Sequence, residues 1–212
     1  MIAIIDYGVG NVFSLSSSLK KIGAECIVTD DVARICGAEG VILPGVGAFG
    51  DAADKLKERG LDKAVKDLAL NGKPLLGICL GMQLLFDRSY EYGEHEGLGL
   101  IGGEVRPLSQ YIDGLKIPHM GWNSLDLQRD DCPLLKYTHG GDYVYFVHSF
   151  CAVCSDGGDL VATSHYGADV AAVVARGNVF GTQFHPEKSG EVGLKMLKAF
   201  VELSRQVGKK LC

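Results

Sequence analysis

The alternation of short, wholly apolar segments with longer amphipathic ones most limits how this chain can fold. Ile2–Ile5, residues 40–43 and residues 74–78 contain no charged or hydrogen-bonding side chain. A strand without a polar position must be buried on both faces, as strands are in parallel sheets that are covered by their connecting helices. The pattern therefore predicts an α/β fold with a mixed, mostly parallel central sheet flanked by helices. Such sheets bind ligands at the carboxyl ends of their strands.

Helices are predicted where apolar residues recur along one face, and further strands where short apolar runs lie between turn residues. The helical patterns cover residues 11–22, 52–57, Leu61–Leu70, 82–86 and 189–206. The further strands are predicted at residues 26–28, 105–107, 115–118, 143–147, 160–163, 171–175 and 179–183, with a tight hairpin over residues 175–179. No repeat or low-complexity linker interrupts the sequence, so we expect one domain over residues 1–212.

Composition and charge exclude several classes of protein. The chain has 21 basic and 26 acidic residues, for a net charge of −5, and it lacks the basic balance typical of nucleic-acid binding. No apolar run approaches the roughly 20 residues of a membrane-spanning helix, so we expect no membrane partner. The seven cysteines are odd in number and scattered, and Met1 leads directly into an apolar strand without a signal-peptide pattern. Both features indicate a reducing, cytoplasmic environment.

The sharpest local motif is Gly77-Ile78-Cys79-Leu80-Gly81, which lies between a predicted strand and a predicted helix. It has the form of a nucleophile elbow in which cysteine replaces serine. The strained backbone at such a turn leaves no room for flanking side chains, and a helix N-terminus favours the thiolate of Cys79. The backbone N–H of Leu80 would point toward the same place as half of an oxyanion hole. The alternative is a small buried thiol in a tight turn.

A catalytic thiol needs a base, and that base needs a group that orients it. His185 and Glu187 follow the last predicted strand in the run Phe180-Gly181-Thr182-Gln183-Phe184-His185-Pro186-Glu187. His185 can take the sulfur proton, and Glu187 can hold the imidazole through its other nitrogen. The alternative is a surface turn after a strand.

Residues 44–47, with the sequence Pro-Gly-Val-Gly, close another central strand. Two glycines allow backbone amides to approach a reacting carbonyl closely, so Val46 or Gly47 is a candidate for the second oxyanion donor. Taken alone, this segment is more often just a glycine-rich turn.

These segments together carry a family resemblance. The runs P-G-V-G, G-I-C-L-G-M-Q and F-H-P-E-K resemble those of the class I glutamine amidotransferases. The wider set, at residues 6–11, 118–123, 145–149 and 181–190, is similar to the glutaminase subunits of imidazole glycerol phosphate synthases, a group within that family. The resemblance runs from Ile4 to Gly190. Phe150 departs from it, because tyrosine is expected there.

The resemblance implies a reaction and the residues that perform it. Cys79 would attack the side-chain amide of glutamine, His185 would protonate the departing ammonia, and water would cleave the glutamyl thioester. The implied glutamine-binding positions are Gln83, His148, Ser149 and Phe150. No cofactor and no metal are expected.

The resemblance also implies a partner. In the group, ammonia passes to a (β/α)8 barrel cyclase subunit that makes imidazole glycerol phosphate and AICAR in histidine biosynthesis. The implied partner-facing positions are Asn11, Pro118, His119, Met120, Gly121, Trp122, Asn123 and Lys188. Independently, Trp122 has the character of an interface anchor, with burial in the core as the alternative. The modest chain length favours a barrel on a separate chain.

Other functions stay open on the sequence alone. They are a glutaminase of another pathway, such as anthranilate or pyridoxal phosphate synthesis, a γ-glutamyl hydrolase-like cysteine hydrolase, and a non-catalytic binding module. Cys151 and Cys154 have the spacing of a metal-binding pair, but no second pair accompanies them. The acidic cluster Glu91, Glu94 and Glu96 is expected to be a solvated loop.

Overall fold

The structure, a computed structural model, describes residues 1–208; residues 209–212, including Cys212 and the end of the predicted domain, lie outside the described residues. The strands are β1 (Ile2–Ile5), β2 (Cys26–Thr29), β3 (Gly40–Gly45), β4 (Leu75–Cys79), β5 (Phe86–Ser89), β6 (His95–Glu96), β7 (Ile101–Pro107), β8 (His119–Ser124), β9 (Asp126–Leu127), β10 (Tyr143–His148), β11 (Phe150–Cys154), β12 (Leu160–His165), β13 (Asp169–Arg176) and β14 (Val179–Thr182). The helices are α1 (Val12–Lys21), α2 (Val32–Gly37), α3 (Phe49–Glu58), α4 (Leu61–Leu70), α5 (Leu80–Gln83) and α6 (Gly190–Gly208).

Eight strands form the central sheet, in the order β2-β1-β3-β4-β14-β13-β12-β9. The first five run parallel to one another, and the last three continue the sheet with antiparallel pairing. The prediction of a mixed, mostly parallel sheet flanked by helices is confirmed. Because β4 and β14 are parallel neighbours, the segments that follow them begin at the same edge of the sheet.

Helices cover both faces of the sheet, and the residues of β1 alternate between them. Ile2 and Ile4 join an apolar cluster with α1 and α6, whereas Ala3 and Ile5 join a second cluster with α3 and α4. All four side chains are at most 1% exposed. This two-sided burial is the physical reason that the strand sequence has no polar position. No helix within residues 1–208 is long and apolar enough to cross a bilayer.

Two smaller sheets stand beside the central one. Strands β8 and β10 form an antiparallel two-stranded ribbon, in which His119 pairs with His148 and Met120 with Val147. Strands β11, β7, β5 and β6 form a four-stranded sheet. Residues 147–150 connect the ribbon to that sheet, and they form one side of the cavity described below.

Two predicted elements are wrong. Residues 115–118 are not a strand; Leu115 and Ile117 are 44% and 42% exposed, and the strand begins only at His119, after a proline that cannot donate to a ladder. The helix predicted over residues 82–86 ends at Gln83, and Phe86 instead starts β5 against β7. A fully buried apolar run suits a helix or a strand equally well, so periodicity alone could not decide it.

Candidate active site

Cys79 ends β4 in a backbone conformation that side chains rarely adopt, with φ 55° and ψ −112°. The flanking glycines leave the room that this turn needs. A Cβ on Gly77 would lie 2.5 Å from the carbonyl oxygen of Gly81, and a Cβ on Gly81 would overlap the carbonyl oxygen of Leu43. The turn can therefore form only where both positions lack a side chain.

The sulfur of Cys79 lies among polar groups although the residue is only 7% exposed. Its Sγ is 3.9 Å from the carbonyl oxygen of Val147 and 3.8 Å from Nε2 of Gln183, which donates to it. Leu80 follows as the first residue of α5, where helix N–H groups have no partner inside the helix. The sulfur thus has an amide donor on one side and, on the other, a carbonyl oxygen to which the thiol donates, at the start of α5.

His185 and Glu187 form a buried pair next to the sulfur. Nδ1 of His185 is 2.9 Å from Oε1 of Glu187, and both side chains are 3% exposed. Burial by itself lowers the pKa of His185, but Cys79 and Glu187 outweigh that effect and raise the pKa to about 9. Nε2 of His185 has no hydrogen-bond partner among the described residues. The raised pKa favours the protonated imidazole, and its Nε2, on the side away from Glu187, is available to exchange a proton.

The end of β3 and the two residues after it lie next to the turn at Cys79. Gly45 pairs with Cys79 in the sheet, and the buried hydroxyl of Tyr7 donates to the carbonyl oxygen of Pro44 at 2.7 Å. Val46 is 41% exposed, and Gly47 has a φ of +97°. Tyr7 therefore anchors the base of a segment whose tip is open to solvent.

One cavity of about 290 Å³ brings the candidate residues together. It is lined by Val46, Gly47, Cys79, Leu80, Gln83, Glu91, Pro118, Val147, His148, Ser149, Phe150 and His185. The predicted nucleophile, base, oxyanion and glutamine-binding positions thus share one cavity. Glu187 lies behind His185 and does not line this cavity.

Glutamine side chains link two sides of this cavity. Nε2 of Gln83 donates to the carbonyl oxygen of Phe150 at 3.1 Å and to Oε1 of Gln183 at 3.0 Å. Gln183 in turn contacts Sγ of Cys79, as described above. The sequence motif included Gln183 without giving it a role, and only the folded chain places it beside the sulfur.

Glu91 is one residue that sequence reasoning misassigned. It was expected in a solvated loop, but it is only 9% exposed and lines the cavity, with Oε2 accepting from the backbone N–H of Phe49 at 2.6 Å. Burial raises its pKa. No local pattern distinguishes Glu91 from Glu94 and Glu96, which are exposed as expected.

The predicted partner-facing positions do not all lie at the surface. Met120 and Trp122 are 61% and 54% exposed, so the alternative that Trp122 is buried in the core is wrong. Pro118 and Lys188 are also exposed, and Asn11, Gly121 and Asn123 are partly exposed. His119 is only 2% exposed, which corrects the expectation that it faces a partner. In β8 its side chain points inward, whereas those of its neighbours along the ribbon face solvent.

The sequence is similar to those of known proteins over nearly its whole length. The family profile for glutamine amidotransferase class-I matches residues 3–203. The chain is 55% identical over 201 residues to an imidazole glycerol phosphate synthase subunit HisH of Bacillus cereus, covering 94% of this chain and 93% of that protein. It is 48% identical over 205 residues to the protein of the same name from Oceanobacillus iheyensis, covering 97% and 100%.

Solved structures share the fold at low sequence identity. A crystal structure of a glutamine amidotransferase superposes with a TM-score of 0.76 at 20% identity, covering 97% of this chain and all of that one. A structure titled PurLQS, from Thermotoga maritima, gives 0.71 at 23% identity, covering 95% and 97%. The resemblance indicated by the motifs is thus confirmed, and the chain belongs to the class I glutamine amidotransferase family.

Proposed function

We propose that this chain hydrolyses glutamine to glutamate and ammonia and supplies the ammonia to a barrel cyclase that makes imidazole glycerol phosphate and AICAR. The observation that carries the proposal is the shared cavity, in which Cys79 and His185 meet and Glu187 holds the imidazole from behind. The names of the curated relatives supply the pathway, and they favour it over anthranilate or pyridoxal phosphate synthesis.

In the first half of the reaction, the Cys79 thiolate attacks the side-chain amide carbon of glutamine. The resulting oxyanion would be held by the backbone N–H of Leu80 and by that of Val46 or Gly47. The C–N bond then breaks, and protonated His185 gives its Nε2 proton to the departing nitrogen. Ammonia leaves, and a glutamyl thioester remains on the sulfur.

In the second half, His185 acts as the base. It takes a proton from water, the hydroxide attacks the thioester carbon, and the C–S bond breaks to release glutamate. The proton on His185 and the thiolate on Cys79 are then restored. Glu187 keeps the imidazole in one orientation throughout, because it accepts from Nδ1.

The cavity also suits glutamine rather than a peptide. Its volume of about 290 Å³ has room for a glutamine and lies at the lower end for ligand pockets, which suits a single amino acid better than a peptide. The carboxylate of Glu91 offers a counter-charge for the α-ammonium group. Residues 148–150 and Gln83 would form the remaining contacts.

The ammonia acceptor would be a (β/α)8 barrel that binds on the side of the ribbon formed by β8 and β10. Exposed Met120 and Trp122 lie there, and large exposed apolar side chains are typical of partner surfaces. The six cysteines in the described part of the chain are free thiols, which suits a cytoplasmic heterodimer. We expect the chain alone to be nearly inactive in glutamine hydrolysis, with the backbone amides of residues 44–47 misaligned until the partner synthase binds its own substrate.

Substitution of Cys79 by alanine tests the proposal in the complex. We expect Cys79→Ala to lower glutamine-dependent synthesis by at least about 10³-fold while synthesis from added ammonia continues. Cys36→Ala, at an exposed thiol, is the matched control. Undiminished glutamine-dependent synthesis by Cys79→Ala would remove the nucleophile from the account.

A further inference from the structure

Two buried histidines outside the triad meet where the ribbon joins the cavity. His119 in β8 and His148 in β10 are 2% and 6% exposed. Nδ1 of His119 is 3.0 Å from Nε2 of His148, and Nδ1 of His148 is 2.8 Å from the carbonyl oxygen of Phe150. His148 lines the cavity, whereas His119 stands behind it.

The positions of the protons follow from these contacts. A carbonyl oxygen only accepts, so His148 must carry a proton on Nδ1. Burial lowers the pKa of both imidazoles to about 4, so each ring is neutral at physiological pH. Nε2 of His148 is therefore a bare acceptor, and His119 must donate to it from its own Nδ1. The donor on His119 thus supports the tautomer of His148 that the carbonyl oxygen of Phe150 requires.

The hydrogen bond from His119 to His148 is part of a longer chain of hydrogen bonds around the cavity. The carbonyl oxygen of Phe150 accepts from His148 and also from Gln83, which is bonded to Gln183 beside the sulfur of Cys79. Residues 149–150 are consequently held in place by a hydrogen-bond chain that begins at His119.

We propose that His119 is a positioning residue for glutamine hydrolysis, whose donation to His148 holds residues 149–150 in the geometry that binds glutamine. This inference rests on the proposed function. Without the donor, His148 either keeps its Nδ1 proton and leaves Nε2 buried and unpaired, or moves the proton and sets its Nδ1 lone pair against the Phe150 oxygen. Both arrangements are unfavourable, so the wall of the cavity shifts.

The surroundings of His119 allow its hydrogen bond to His148 and its ring stacking to be tested separately. Its ring stacks on Phe146 with centroids 4.7 Å apart and on Tyr166 with centroids 4.0 Å apart. His119→Phe keeps an aromatic ring for this stacking but has no donor. His119→Asn loses the ring but retains an amide N–H near the position of Nδ1.

Glutamine hydrolysis by the complex, with the barrel partner present in saturating amounts, tests the proposal. We expect His119→Phe to raise KM for glutamine roughly three- to tenfold with kcat within about twofold, the scale of one hydrogen bond. His119→Asn should keep KM near that of the wild type, although its melting temperature falls below that of His119→Phe. Affinity for the barrel should stay unchanged in both variants, whereas Trp122→Ala should weaken it.

Two results would overturn the role of His119. One is an unchanged KM in folded His119→Phe, and the other is loss of barrel affinity with normal KM, which would return His119 to the partner surface. Nitrogen-15 NMR of the histidine rings in the wild-type chain is independent of how the variants fold. It should show Nδ1–H tautomers at His119 and His148, and a proton on Nε2 of His148 would contradict the proposal. Persistent hydrolysis by Cys79→Ala would instead count against the proposed function.

Discussion

The side of the cavity that carries Cys79 is held by backbone packed against backbone, whereas the opposite side, residues 147–150, is held by side-chain hydrogen bonds. On the first side, Gly77 and Gly81 let two chain segments approach so closely that no Cβ fits. On the second, His148 and Gln83 fix the carbonyl of Phe150. Backbone packing sets one rigid angle for the nucleophile, while hydrogen bonds can be removed singly. Changes on the first side should therefore affect folding and kcat, and changes on the second should affect KM.

The largest effect is expected for Gly81→Ala. The added Cβ would overlap the carbonyl oxygen of Leu43, and a backbone atom in a central strand cannot move aside cheaply. We expect a loss of at least about 3 kcal/mol in the free energy of unfolding, measured by urea denaturation. Gly140→Ala is the control, because nothing lies within 4 Å of a Cβ there. Equal stability of the two variants would show that the first side is not rigid.

Glu187→Gln should lower kcat by roughly 10²-fold or more, because the imidazole loses the carboxylate that orients it. Glu191→Gln, at an exposed position in α6, is the control. A kcat for Glu187→Gln equal to that of the control would remove Glu187 from the triad.

The pairing of His185 with Glu187 also predicts how the free energy of unfolding depends on pH. The folded pKa of His185 is raised to about 9, above its ordinary value of 6.5. Its contribution to stability is therefore complete below about pH 6.5 and is lost as the pH rises through about 9. Urea unfolding across this range should show a decline in the free energy of unfolding from about pH 6.5, and this decline should be larger and continue to higher pH in the wild type than in Glu187→Gln. An identical pH dependence of the unfolding free energy in the wild type and in Glu187→Gln would contradict the pairing of His185 with Glu187.

Tyr7→Phe should have an intermediate effect. It leaves the buried carbonyl of Pro44 without its donor, which costs about 1–3 kcal/mol of unfolding free energy. Since Pro44 is at the base of the oxyanion segment, kcat should also fall. Tyr143→Phe, at a 58% exposed position, controls for loss of a hydroxyl. A fall in stability or kcat for Tyr143→Phe as large as that for Tyr7→Phe would argue against a specific anchor.

The smallest of these effects is expected for Glu91→Gln. The amide oxygen can still accept from Phe49, but the charge opposite the α-ammonium group of glutamine is gone. We expect KM to rise by about tenfold with little change in kcat, measured in steady-state hydrolysis. Glu94→Gln, which alters an exposed partner of Arg88, should match the wild type. An unchanged KM in Glu91→Gln would exclude Glu91 from substrate recognition.

The sequence predicted the parallel half of the fold more accurately than the part around the second side of the cavity. Ile2–Ile5 and Leu61–Leu70 match the structure to the residue, because burial of strands and of one helix face leaves a direct pattern. The ribbon strand β8 was missed, since His119–Ser124 mixes one buried residue with exposed apolar ones. Such a sequence lacks the regular alternation of apolar and polar residues by which strands are predicted.

In the candidate site, too, some residues could be predicted from local motifs and others could not. Cys79 and His185 were found because each stands in a local motif at the end of a strand. Glu91 and the inward orientation of His119 depend on contacts between distant segments, such as Glu91 with Phe49, 42 residues away. Nothing in the neighbouring sequence encodes such contacts. The catalytic roles assigned to all of these residues stay predictions until they are measured.

The most direct test is the reaction of the full chain, in its complex, with a glutamine analogue that carries an electrophilic diazoketone in place of the amide. Mass spectrometry of the digested protein then shows which thiols have reacted. The account predicts that Cys79 is alkylated well ahead of the other six cysteines and that free glutamine slows the reaction. Uniform labelling of the cysteines, or labelling of Cys79 that glutamine does not slow, would contradict it.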